Sequence, residues 1–165
     1  MKINTITMLI IAMITGSYTA AAETPLKPVL TLGAARKAAE AAEKEAMKRG
    51  ATVVIAVVDD GGNLILLERL DDTQVASVDV GIGKARTAAI FRRPSKVFED
   101  QIREGRVAAL ALPGATPLQG GIPITIDGKV VGAIGVSGNT PQEDEEIAIV
   151  GASAISEAVA SGEKK

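Results

Sequence analysis

Ile122-Pro123-Ile124-Thr125-Ile126-Asp127-Gly128-Lys129-Val130-Val131-Gly132-Ala133-Ile134-Gly135-Val136 places two runs rich in β-branched residues on either side of an Asp-Gly pair. Asp-Gly between such runs is the strongest short-range signal for a tight hairpin, because both central residues accept positive φ. The stretch predicts two antiparallel strands, Ile122 to Ile126 and Lys129 to Val136. A second hairpin is expected upstream: the β-branched run Thr52 to Val58 reads as a buried strand. The turn Asp59-Asp60-Gly61-Gly62-Asn63 and a strand from Leu64 to Leu70 follow it.

Helices are expected around these hairpins. Thr31 is an N-cap for an Ala-rich helix from about Leu32 to Arg49, and Gly50 ends it. Ala35, Ala38, Ala39, Ala42 and Ala46 recur at helical spacing, so this helix can lie close to a sheet. A second helix is expected from about Val75 to Phe91, and after Pro94-Ser95 a shorter one runs through about Arg103. Pro113, Gly114, Pro117 and Gly120 make the segment Gly105 to Gly121 mostly loop, with room for one short strand. Thr140, Pro141 and Glu143 form an N-terminal capping signature for a last helix reaching about Ala160. Consecutive hairpins and intervening helices predict an α/β (α+β) fold, an α/β/α sandwich around a mainly antiparallel sheet of about five strands.

Composition narrows the chemistry. The 165 residues fit one domain, and 18 Lys plus Arg against 20 Asp plus Glu argue against an electrostatic nucleic-acid binder. Aromatics are only 2% of the chain, which leaves little base-stacking surface. The chain holds no His and no Cys, and this excludes disulfides, thiolate catalysis, a Ser-His-Asp triad and an ordinary zinc site.

The N-terminus reads as a secretory signal. Lys2 precedes the apolar run Ile6 to Ile14, and Ala20-Ala21-Ala22 supplies an A-x-A cleavage site. Residues 1–22 are therefore expected to be removed, leaving a single domain over residues 23–165 with a periplasmic or secreted location. The apolar run is too short to span a bilayer comfortably, so no membrane span is expected after processing.

Several motifs invite both a structural and a chemical reading. Asp59-Asp60-Gly61-Gly62 is a hairpin turn or an oxygen-rich edge, and Glu143-Asp144-Glu145-Glu146 complements a helix N-terminus. Lys84 and Thr87 are three apart on a helix and share a face. Gly120-Gly121 and Gly135-Val136-Ser137-Gly138 can aim N–H groups at an anion or serve as packing points.

Four of these motifs stand in a characteristic order: Val57-Val58-Asp59-Asp60-Gly61-Gly62-Asn63-Leu64, Lys84-Ala85-Arg86-Thr87-Ala88-Ala89, Gly120-Gly121-Ile122-Pro123-Ile124, and Gly132 to Gly138. Together they resemble the GlcG/HbpS-like family, which is related to the C-terminal domain of PduO-type corrinoid adenosyltransferases. The likeness covers about Leu30 to Ala160. It implies a profilin-like fold with a five-stranded antiparallel sheet, assembly into homo-oligomers, and haem as cofactor. It also places the segment Lys84 to Ala89 on the family's proposed haem-facing helix.

Haem chemistry meets a constraint here, since His, Cys, Met and Tyr are the usual axial ligands and the processed chain would keep only Met47. A haem site here would use a weak oxygen ligand such as Thr87, a deprotonated Lys84, Met47 or no protein ligand. Thr87, in the motif that carries the resemblance, is the candidate as iron ligand or as donor to an iron-bound water. Lys84, Arg86 and Arg69 are candidate propionate partners, with Gly120 and Gly121 as cofactor-binding backbone. The alternative is an enzyme acting on a small carboxylate, with Lys84 as base or clamp and Asp59 as acid/base partner.

Overall fold

The computed structural model describes residues 26–160, with side chains through residue 156. The proposed signal segment, residues 1–22, lies outside the described residues. Nine elements follow one another: α1 (Leu32–Arg49), β1 (Val54–Asp59), β2 (Leu64–Arg69), α2 (Ser77–Phe91), α3 (Lys96–Arg103), a 3-10 turn (Val107–Ala111), β3 (Gly121–Ile126), β4 (Lys129–Ser137) and α4 (Pro141–Ala160).

Local chemistry sets the helix ends. Thr31 Oγ1 accepts from the Ala34 N–H at 3.2 Å, and Gly50 closes α1 at φ 63°. At α4 the Thr140 hydroxyl accepts from the Glu143 N–H at 3.3 Å and donates to the Glu143 carboxylate at 2.7 Å. Helix α2 closes on Arg92 at φ 55°, a left-handed position occupied by a residue with a Cβ.

The sheet has strand order β2-β1-β4-β3, and every neighbouring pair is antiparallel. Alternation along the strands makes two cores. Ile55, Val57, Ile134, Val136 and Ile124 face α1 and α4, where Ala35, Ala38, Ala42, Ile147 and Ala148 complete one apolar cluster. Ala56, Val58 and Ala133 face α2 and meet Ala85, Ala88 and Ala89. Strand β1 is buried on both sides from Val54 to Val58, so each of these positions needs an apolar side chain.

Four strands are present among the described residues, which corrects the expectation of five. The segment expected to hold a short strand forms the 3-10 turn Val107–Ala111 and then a loop laid along α2. Pro113 and Pro117 have no N–H to give a ladder. The loop's other groups are used locally: the Thr116 N–H donates to Thr87 Oγ1 at 2.7 Å and the Gln119 N–H to Glu99 at 2.6 Å.

The two sheet edges differ. On β3 the outward-facing positions are Gly121, Pro123 and Thr125, because Gly120 O accepts from the Val136 N–H and sets the alternation. Gly121 bonds Ser95 through both its N–H and its carbonyl, Pro123 carries no donor, and the Thr125 carbonyl accepts from Ser156 Oγ at 3.2 Å. On β2, Leu66 and Glu68 face β1, so Leu67 and Arg69 present unpaired backbone groups outward among the described residues.

Candidate functional site

Helix α2 passes over β4 where the strand carries Gly135. A Cβ at Gly135 would stand 2.5 Å from the Ala85 N and 2.9 Å from the Ala85 Cβ. That close approach sinks Lys84 into the interior, where its ammonium donates to Asp144 Oδ2 at 2.8 Å and to the Val136 carbonyl at 2.9 Å. The two side chains retain 5% and 3% exposure, which makes this a buried ion pair. Asp144 Oδ1 accepts from the Asn139 N–H at 3.0 Å. Burial pushes the Asp144 carboxyl up, against the opposing pull of the Lys84 ammonium and of the Asn139 and Gly138 N–H groups. The Gly120 main chain covers the pair from above. A Cβ there would lie 2.9 Å from Lys84 Nζ and 2.8 Å from the Val136 oxygen.

One turn along α2, Thr87 meets the loop that follows the 3-10 turn. Its hydroxyl donates to the Gly83 carbonyl at 2.8 Å and accepts from the Thr116 N–H. Gly83 lets Thr116 sit directly on the helix, since a Cβ at that position would be 2.9 Å from Thr116 Cβ. Ser95 continues the seam by donating to the Leu118 carbonyl at 2.5 Å and accepting from the Gly121 N–H at 2.8 Å. Lys84, Thr87, Gly120 and Gly121 are thus brought together along one side of α2. Arg86 points elsewhere, with Nε donating to the Gly62 carbonyl at 3.1 Å.

Asp59 stands apart from Lys84. It pairs in register with Gly132, whereas Lys84 reaches Val136, so roughly 13 Å of strand separates the two places. Asp59 Oδ1 accepts from the Gly61 and Asn63 N–H groups at 2.9 and 2.8 Å, the arrangement of a turn-forming aspartate. Partial burial pushes its carboxyl up, but the bonds from Asn63 and Gly61 and the charge of Lys27 outweigh this and leave it below the usual range. Arg69 and Met47 line a shallow cleft on the α1 side, and Met47 is 65% exposed rather than packed in the core. Among the described residues no group of three or more acidic side chains is placed to hold a metal ion, and no helix is long and apolar enough to cross a membrane.

Two functional-looking residues escaped sequence reasoning. Asp144 sits in an acidic run that serves a helix N-terminus, and its partner lies 60 positions away. Thr116 shows no pattern of its own, and only the helical glycine at 83 hints that something must approach there.

The sheet order, the Ala-rich helices on both faces and the buried lysine behind the Gly120-Gly121 strand start define a small α/β domain built around a sealed ion pair. The chain belongs to the HbpS-like family, described as haem degrading protein HbpS-like, whose pattern matches residues 30–153. It is 41% identical to protein GlcG of Escherichia coli (strain K12) over 111 residues, which are 67% of this chain and 83% of that one. The crystal structure of a Streptomyces reticuli HbpS variant is similar, with a TM-score of 0.73 and 36% identity, covering 81% of this chain and 91% of that one. The PduOC:haem complex, at 23% identity and a TM-score of 0.70 over 77% of this chain and 95% of that one, shares the fold.

Proposed function

We propose that the protein is an exported haem-binding member of the HbpS-like family that serves haem uptake or sensing. The observation that carries this reading is the family match across residues 30–153 together with the likeness to HbpS. We also read the three layers as a profilin-like fold and the assembled protein as a homo-oligomer.

The residues suit a weakly ligated haem and do not suit a strongly ligated one. Met47 alone among the described residues is a usual axial ligand, and it stands on α1, across the sheet from α2. Thr87 can offer its oxygen to iron by releasing the Thr116 N–H. The covering segment carries exposed Val107, Leu110 and Leu118, apolar side chains on which a porphyrin can pack. When bound, haem would supply iron chemistry. The chain's own part is to pack the ring and to control access to Thr87 through the seam with Thr116.

Haemin titration of the purified protein tests the reading, with an absorbance spectrum of weak or oxygen ligation expected. Thr87→Val keeps the side-chain shape, so it should change that spectrum while costing about 1 kcal/mol of stability for the lost Thr116 bond. A featureless titration would refute haem binding, and a spectrum indifferent to Thr87→Val would remove Thr87 from the site. Export and assembly can be read from one preparation of the secreted protein. Its first residue should be Glu23 and its light-scattering mass a multiple of the protomer; a chain starting at Met1, or a monomer mass at micromolar concentration, speaks against each in turn.

A further inference from the structure

At the end of the molecule where both hairpins turn, Lys27, Pro28, Asp60, Arg92, Gly128, Lys129 and Val130 enclose a groove of about 610 Å³. Lys27 is bonded to Asp60, so those two charges cancel. Neither the Arg92 nor the Lys129 side chain has a hydrogen-bond or carboxylate partner among the described residues. The groove therefore holds two uncommitted cations. We propose that it binds a ligand carrying two carboxylates, one meeting Arg92 and the other meeting Lys129.

The backbone supports this assignment. Helices α1 and α2 both close in the left-handed region, α1 on Gly50 at φ 63° and α2 on Arg92 at φ 55°. Glycine fills that position without strain, whereas a residue with a Cβ does so at an energetic cost. Folding alone thus favours glycine at position 92. Among the described residues three other than glycine take positive φ, Asp72, Arg92 and Asp127. Aspartate tolerates that region through local hydrogen bonds, so Arg92 is the one whose strain points to a role for its side chain. A cation at a helix C-terminus also complements the macrodipole. Helix α1 obtains that benefit from Lys48 and Arg49 inside its last turn, with glycine still at its cap. Arg92 adds to the dipole effect a planar fork of donors that matches a carboxylate in two bonds. Lys129, at the first position of β4 beside the Asp127-Gly128 turn, supplies a second point charge to the groove lining.

Paired carboxylates have two chemical sources, the propionates of a porphyrin or a free small dicarboxylate. The test uses the full chain and the double variant Arg92→Gly, Lys129→Gln. It is titrated with metal-free protoporphyrin IX by fluorescence and with succinate by calorimetry. Loss of both cations should weaken binding of one probe about tenfold or more, the scale of one or two charge-assisted hydrogen bonds. Which probe loses affinity names the source. The double variant should melt no lower than the parent, because glycine relieves the left-handed strain, so a binding loss is not a folding loss. Equal affinity of parent and double variant for both probes, or no binding of either by the parent, overturns the proposal. Haemin held equally well by parent and double variant, with succinate affinity also unchanged, overturns the groove and leaves haem binding intact. Succinate bound through these cations by a protein indifferent to haemin does the reverse.

Discussion

Lys84→Met should destabilise the protein by about 3–5 kcal/mol, because it leaves the Asp144 carboxylate sealed inside with no cation beside it. In a domain of this size that lowers the melting midpoint by roughly 10 °C or more. The double variant Lys84→Met, Asp144→Asn should recover most of the loss. It removes both charges and keeps an acceptor for the Asn139 N–H. Such recovery is the usual behaviour of buried ion pairs, whose desolvation cancels much of their attraction. A single variant that melts with the parent would mean that water reaches Asp144 and that the pair is not sealed. The recovered double variant also separates fold from function. If it still binds haemin, Lys84 is not a propionate partner, and its place is to fasten α2 to β4 and α4.

Gly135→Val should be nearly as damaging for a different reason. The atoms that a side chain would strike are the backbone of α2 and the Ala85 methyl, so no flexible side chain can swing aside. Overpacking of this kind costs about 1–3 kcal/mol, and more where a whole helix must lift. Gly33→Ala is the matching control, since the nearest atom to a Cβ there is Thr31 Oγ1 at 3.8 Å, ordinary contact. Inside a helix that exchange should be neutral or stabilising by about 0.5–1 kcal/mol. Thermal unfolding of the pair reads both. Equal melting of Gly135→Val and the parent would show that α2 does not lie in direct contact with Gly135.

Much of this architecture was legible because its signals are local. Helix α1 runs from Leu32 to Arg49 with its cap on Thr31 and its stop on Gly50, all within reach of neighbouring residues. The Asp127-Gly128 turn likewise joins the two strands expected around it. What failed to show depends on partners distant in sequence. Among the described residues no fifth strand forms, because residues after Arg106 find their bonds on Thr87 and Glu99 rather than on a ladder. Asp144 looks like a capping charge until the fold sets it beside Lys84. Met47 looks like core material in an Ala-rich helix, yet its position faces away from the Ala35, Ala38, Ala42 and Ala46 stripe and it remains exposed.

The unequal edges of the sheet limit how the protein can add to itself. Strand β3 offers a docking strand little, since Ser95 takes both outward groups of Gly121, Pro123 has no N–H and Ser156 takes the Thr125 carbonyl. Among the described residues strand β2 keeps the outward backbone of Leu67 and Arg69 open beside the apolar run Leu64-Ile65-Leu66-Leu67. Two copies that join through β2 produce a doubled sheet whose both outer borders are then of the β3 kind. Were copies to join by strand addition, the β2 border would be used up in the first step, which favours a closed two-fold pair over a fibre.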